Sequence, residues 1–80
     1  MSRLLGLHEL NVGQKAVVCR LRTVGSMRRR LLDIGLAENT VVECVGKSPA
    51  GDPIAFFIRG AVIAIRAEDC RTVDIKVLQE

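Results

Sequence analysis

The sequence predicts a small all-β domain, an SH3-like barrel of about five strands with one short helix. Three observations predict it. Runs rich in Val, Ile and Leu recur along the chain, each bounded by Gly, Pro or Asn. A single stretch, residues 21–36, holds a bounded run of helical spacing. The 80 residues carry no repeat and no linker, which suits one domain over 1–80, and a closed barrel removes the sheet edges that so small a domain cannot cover. An OB-like barrel satisfies the same pattern and stays open as the alternative.

Leu4 to Leu10 reads as a lead-in that packs Leu4, Leu5, Leu7 and Leu10 on the body, with His8 and Glu9 outward. After the turn signal Asn11-Val12-Gly13, Lys15 to Leu21 is the first strand. Ser26 then stands where an N-cap is wanted, and Met27, Leu31 and Ile34 recur at i, i+4 and i+7 to give the helix one apolar side. Gly35 stands where a left-handed residue ends such a helix. Thr40 to Val45 is the second strand. The loop from Gly46 to Pro53 has two prolines and two glycines and no regular structure. Ile54 to Ile58 and Ala61 to Ile65 form a hairpin about Arg59-Gly60, Ala67 to Cys70 is a helical turn, and Thr72 to Leu78 is the fifth strand.

The formal net charge of +3 divides unevenly: residues 1–30 carry +6 and residues 31–80 carry −3. Such a split steers a domain toward acidic partners, unless the acids fold back beside the arginines. Asp33 lies within helical reach of both Arg29 and Arg30. Cys19, Cys44 and Cys70 are odd in number and far apart, which fits a reducing cytoplasm. The start lacks a cleavable-leader pattern and no apolar run reaches the roughly 20 residues of a membrane span.

Chemistry finds little to work with. Zinc sites use paired ligands at short spacing, whereas these cysteines lie apart and His8 is alone, so no metal site and no cofactor is expected and the thiols read as packing residues. No catalytic residue is expected either, because one histidine and scattered carboxylates supply no nucleophile with a base. Gly46-Lys47-Ser48 lacks the first glycine and the following helix of a phosphate loop. Nucleic-acid binding is the rival that charge allows. Against it, Tyr and Trp are absent and Arg28, Arg29 and Arg30 fan around a helix, so all three cannot follow one backbone.

Surfaces remain. If Ile54, Phe56 and Ile58 face inward, Phe57 faces outward beside the proline loop, unless lead-in leucines cover it. The candidate contact residues are Arg28, Arg29, Arg30, Ser48, Pro49, Asp52 and Phe57.

Leu10-x-x-Gly13, Arg30-Leu31-Leu32-Asp33-Ile34-Gly35-Leu36, Ser48-Pro49-x-Gly51-Asp52-Pro53-Ile54, Arg59-Gly60 and Ile65-Arg66 before Cys70 follow one another in an order that resembles the FeoA family over nearly the whole chain. Cys70 where Ala is expected and Asn39 where Gly is common are small departures. The resemblance implies a small cytoplasmic SH3-like barrel, encoded with the ferrous-iron transporter FeoB. It implies a non-enzymatic accessory role, with binding to the cytoplasmic GTP-binding or membrane-proximal part of FeoB and peripheral contact with the membrane through that partner. Self-association is an expectation from exposed edge segments and Phe57 rather than from the resemblance. In this reading Arg30 and Asp33 fix the helix to the barrel. A basic nucleic-acid-binding module, or a metal-responsive regulatory module like the SH3-like domain of diphtheria-toxin-repressor-type proteins, is the alternative.

Overall fold

Alternation of β-branched and small or polar residues carries the chain through six strands in the computed structural model, which describes residues 4–78. They are β1 (Leu5–Gly6), β2 (Lys15–Leu21), β3 (Val41–Lys47), β4 (Ile54–Ile58), β5 (Ala61–Ile65) and β6 (Val73–Val77). A 3-10 turn at Leu7–Glu9 follows β1, helix α1 (Gly25–Asp33) joins β2 to β3, and α2 (Ala67–Cys70) joins β5 to β6. The order across the sheet is β1-β6-β2-β3-β4-β5, with every described pairing antiparallel.

The expected closure is not made by hydrogen bonds. Among the described residues β1 and β5 are the two ends of the sheet and no ladder joins them. The reason lies in the lead-in, which offers only two residues of strand before it turns into the 3-10 helix. Leu7 and Leu10 from this segment are fully buried in the core, so side-chain packing anchors it. Leu4, expected to pack, is half exposed, and His8, expected outward, is half-buried with an unpartnered Nδ1. Glu9 is exposed as expected and its Oε2 accepts the Gly6 N–H at 2.8 Å.

Two bulges shift the reading of individual strands. Val18 pairs with Ile75 and Arg20 with Asp74, so Cys19 is the extra residue in β2, and Val18 and Leu21 both reach the core. In β3, Cys44 pairs with Phe56 and Gly46 with Ala55, which leaves Val45 unpaired and exposed. The strand thereby continues to Lys47 rather than ending at Val45. Ile54, Phe56 and Ile58 of β4 are buried, each side chain of that size contributing roughly 1.5–3 kcal/mol. Arg59 and Gly60 both have positive φ (49° and 88°), the signature of a type I′ hairpin turn, which matches the right-handed twist of β4 and β5.

Helix α1 begins earlier than expected. Val24 is the extended N-cap and Gly25 (φ 71°) makes the entry turn, so Ser26 lies inside the helix and no side chain caps it. Its exit is as expected. Gly35 (φ 105°) donates to Leu32 O at 3.0 Å and Leu36 N–H to Leu31 O at 2.9 Å, the paired bonds of a Schellman end, with Leu31 and Leu36 both buried. A Cβ on Gly35 would stand 2.6 Å from Arg59 Cδ and 3.1 Å from Ile58 Cγ2. Gly13 (φ 92°) has nothing within 4 Å of its virtual Cβ. Urea unfolding should therefore separate the two: Gly13→Ala should lose about 1–2 kcal/mol from backbone strain alone, whereas Gly35→Ala should lose clearly more. Equal losses would show that the Gly35–Arg59 approach relaxes freely.

Candidate functional site

The three adjacent arginines of α1 have different fates. Arg28 bends back to the end of β2, where its Nη1 donates to Leu21 O at 2.6 Å and to Thr23 O at 3.4 Å. Arg29 is exposed, with no hydrogen bond or ion pair to another described residue. Arg30 lines a cleft of about 410 Å³ between α1 and the β5–α2 segment. Asp33, within helical reach of Arg29 and Arg30, forms an ion pair with neither. The one ion pair among the described residues is Arg22–Asp74, 3.0 Å apart across β2 and β6. Arg22 also donates to Arg71 O at 2.8 Å, and the Asp74 carboxylate raises its pKa further. Sequence reasoning missed this pair because Asp74 becomes a neighbour of Arg22 only through the strand register. One basic residue of the N-terminal part is thus neutralised, while the arginine helix is not.

The Ser48–Pro53 loop holds itself. Ser48 Oγ donates to Asp52 O at 2.6 Å and accepts the Asp52 N–H at 3.0 Å, and Gly51 N–H donates to Ser48 O at 2.8 Å. Asp52 Oδ1 accepts the Ala67 N–H at 3.0 Å and so caps the first turn of α2 from outside. Ser48 Oγ and Asp52 Oδ1 are therefore engaged in shaping the loop and tying it to α2. Pro49 is exposed.

Phe57 faces outward and is 45% exposed, so the lead-in leucines do not cover it. It lies in a row across the outer sheet face, Lys15–Glu43–Phe57–Val62, one residue from each of β2 to β5. Beside it is a shallow groove of about 250 Å³, to which Val41 and Arg59 also contribute. The larger cleft takes its apolar lining from Met27 and Leu31 of α1, Ile34 just after it, and Ile63 and Ile65 of β5, with Arg30, Arg66, Glu68 and Asp69 as its charged lining. The two depressions share no lining residue, so Phe57 and Arg30 border different ones.

Residues 5–77 match the FeoA domain family. The chain belongs to the FeoA family. A solved FeoA-like protein from Clostridium acetobutylicum is 31% identical and superposes with a TM-score of 0.89 over 100% of this chain and 93% of that one. FeoA of Stenotrophomonas maltophilia, solved with zinc and described as a prokaryotic SH3 domain protein, is 25% identical with a TM-score of 0.78, covering 89% and 88%. A Porphyromonas gingivalis protein named as an Fe(2+) transport protein A/Fe(2+) transporter FeoB fusion is 28% identical over 90% of this chain. This chain spans only 8% of that relative's length. The SH3-like fold and the family read from the sequence both stand, and the relatives tie the family to ferrous iron transport.

Within this FeoA fold, Cys44 and Cys70 are fully buried and Cys19 is half-buried. Among the described residues no three His, Cys, Asp or Glu side chains gather as a metal site would require. Burial, reinforced by Asp69 and Asp52, pushes the Cys70 thiol up to about 12. The fold thus favours the neutral thiol over the thiolate that the unfolded chain forms near pH 9. Stability from this source is complete below about pH 9 and is lost as pH rises toward 12. Urea midpoints measured from pH 8 to 11 should fall, and Cys70→Ala should flatten that slope whatever it does to the absolute midpoint. An unchanged slope would place the alkaline loss elsewhere.

The cap on α2 is separately testable. Asp52→Ala should cost about 0.5–2 kcal/mol by leaving the Ala67 N–H without its acceptor. Asp52→Asn, which keeps a side-chain oxygen, should recover most of it in the same unfolding assay.

Proposed function

We propose that this chain is a non-enzymatic cytoplasmic accessory protein of ferrous iron uptake, which binds a FeoB-type transporter and modulates it. The single observation that carries this reading is the Porphyromonas gingivalis relative, in which a related sequence is joined to FeoB in one polypeptide. Fusion holds two modules at high effective concentration, an arrangement that favours modules acting on each other. No described helix is long and apolar enough to cross a membrane, so the transporter itself supplies the membrane contact in this reading.

The contact groups are those the fold leaves free. Arg29 and Arg30 offer guanidinium groups with no described ion-pair partner, Pro49 stands at the loop tip, and Phe57 offers apolar area. Arg28, Ser48 and Asp52 serve the interface by holding the helix and the loop in shape. Cationic contacts at a surface act largely through steering and weaken with salt.

The test is an NMR titration of the isotope-labelled chain with the cytoplasmic GTP-binding part of its cognate FeoB at near-physiological salt. Amide shifts should cluster on 28–30, 48–53 and 57. Arg29→Glu combined with Phe57→Ser should weaken the association at least about tenfold, a loss of roughly 1.4 kcal/mol, without disturbing the rest of the spectrum. Flat spectra at high concentrations of both the GTP-binding part and the intact transporter would overturn the reading.

A further inference from the structure

β5 reads Ala-Val-Ile-Ala-Ile, an uncharged β-forming run with no proline, and it stands at the end of the sheet. Its inner edge pairs with β4 over all five residues, while no described strand pairs its outer edge. Proteins normally blunt such an edge with a charge, a proline or a bulge. None of these lies within β5. A cleft of about 410 Å³ lies between α1 and β5.

We propose that the outer edge of β5 takes up an extended segment of a partner protein as a seventh strand, one with an aliphatic centre and acidic residues at its ends. Backbone N–H and C=O groups along an open edge are the recognition elements of strand addition, and alternate side chains of the added strand supply specificity. Both faces of the edge are prepared for them. Ile63 and Ile65 line the cleft, which is apolar on the α1 side through Met27 and Ile34. On the outer face Val62 is 65% exposed and paired with Phe57. A strand beside β5 would therefore send alternate side chains into the cleft and onto the Val62–Phe57 row.

Charge selects the occupant. Arg59 precedes β5 and Arg66 follows it, neither in an ion pair with a described acid, and Arg30 borders the cleft, whose lining past the Arg66 end also holds Glu68 and Asp69. Pairing β5 with β5 of a second copy, antiparallel about Ile63, would bring Gly60 opposite Arg66 of the other copy. Arg59 and Arg66 would then lie near one another at both ends of the dyad, with no acid within either strand. Like charges across a sheet repel, so self-pairing is opposed. A partner strand with acidic ends meets the same arginines favourably.

The transporter enters only as the source of such a strand, on the reading proposed above, and the test separates the two. The probe is the blocked peptide Asp-Val-Ile-Val-Glu, titrated into the labelled full chain and followed by amide shifts and hydrogen exchange. Residues 61–65 should shift together and gain protection. A peptide N-methylated along its backbone, which keeps the side chains but loses the donors, should bind at least about tenfold more weakly. Equal binding of both peptides, protection elsewhere, or no binding would overturn strand addition. So would concentration-dependent dimerisation through β5. With the GTP-binding part of FeoB as titrant, protection at 61–65 supports strand addition in the transporter complex. Binding with protection only elsewhere overturns it there and leaves the transporter reading standing. Peptide binding without any transporter binding supports strand addition and counts against that source.

Discussion

The fold turns on the close approach between the end of α1 and the β4–β5 hairpin. At Gly35 the helix stops in a left-handed residue, and the aliphatic stem of Arg59 crosses where a side chain would otherwise stand. That contact sets the height of α1 over the sheet, and with it the width of the cleft beside β5. It also directs Leu36 into the core directly after the helix ends. Arg59 itself sits at positive φ, a conformation that disfavours a β-carbon, and its turn is held by the pairing on either side. A hairpin turn and a helix end thus constrain one another, although 24 positions separate them in sequence.

The polar chemistry of the domain is largely internal. Arg22 clamps Asp74 and a carbonyl near the end of α2, Arg28 serves the end of β2, Ser48 ties its own loop, and Asp52 reaches across to α2. Each supplies a backbone or carboxylate partner that a small core cannot provide by burial. What stays exposed is cationic and apolar surface: Arg29, Arg30, Phe57, Val62 and the edge of β5. A domain measuring 34 × 31 × 22 Å has an accessible surface of 5165 Å². A standard interface of about 800 Å² per partner would cover about a sixth of it. The division between residues that shape and residues that touch is correspondingly sharp.

Much of this was legible in the sequence because β-branched runs bounded by Gly and Pro leave little freedom. The limits of β2, β4, β5 and α2 agree with the sequence reading, as does the left-handed exit at Gly35. The rest depends on relations that local pattern does not carry. Two residues of β1 are too few to show alternation. A bulge shifts its strand by one residue, so β3 runs on to Lys47 past the Val45 end that the sequence suggests, and composition gives no sign of it. Ser26 looked like a cap because its type suits one, but the backbone turns a residue earlier at Gly25. Asp52 looked like a contact residue because it is polar and in a loop. Its further role as acceptor of the Ala67 N–H requires knowing that residue 67 returns beside it, which only the packed chain shows.

The same reasoning explains why the motif that marks the family need not be the surface that does its work. Gly35 admits the Arg59 stem, Ser48 and Asp52 build the loop, and Arg59-Gly60 turns the hairpin. These residues fix where β5 ends up and which side of it stays open. On the proposed reading, recognition falls to neighbours of less distinctive type, an exposed Phe, a Val and a run of backbone amides. β5 borders both surfaces, the cleft through Ile63 and Ile65 and the outer row through Val62. It is therefore the element through which a change at either surface would reach the other. A partner seated along that edge would sense the packing of α1 on one side and the Phe57 row on the other.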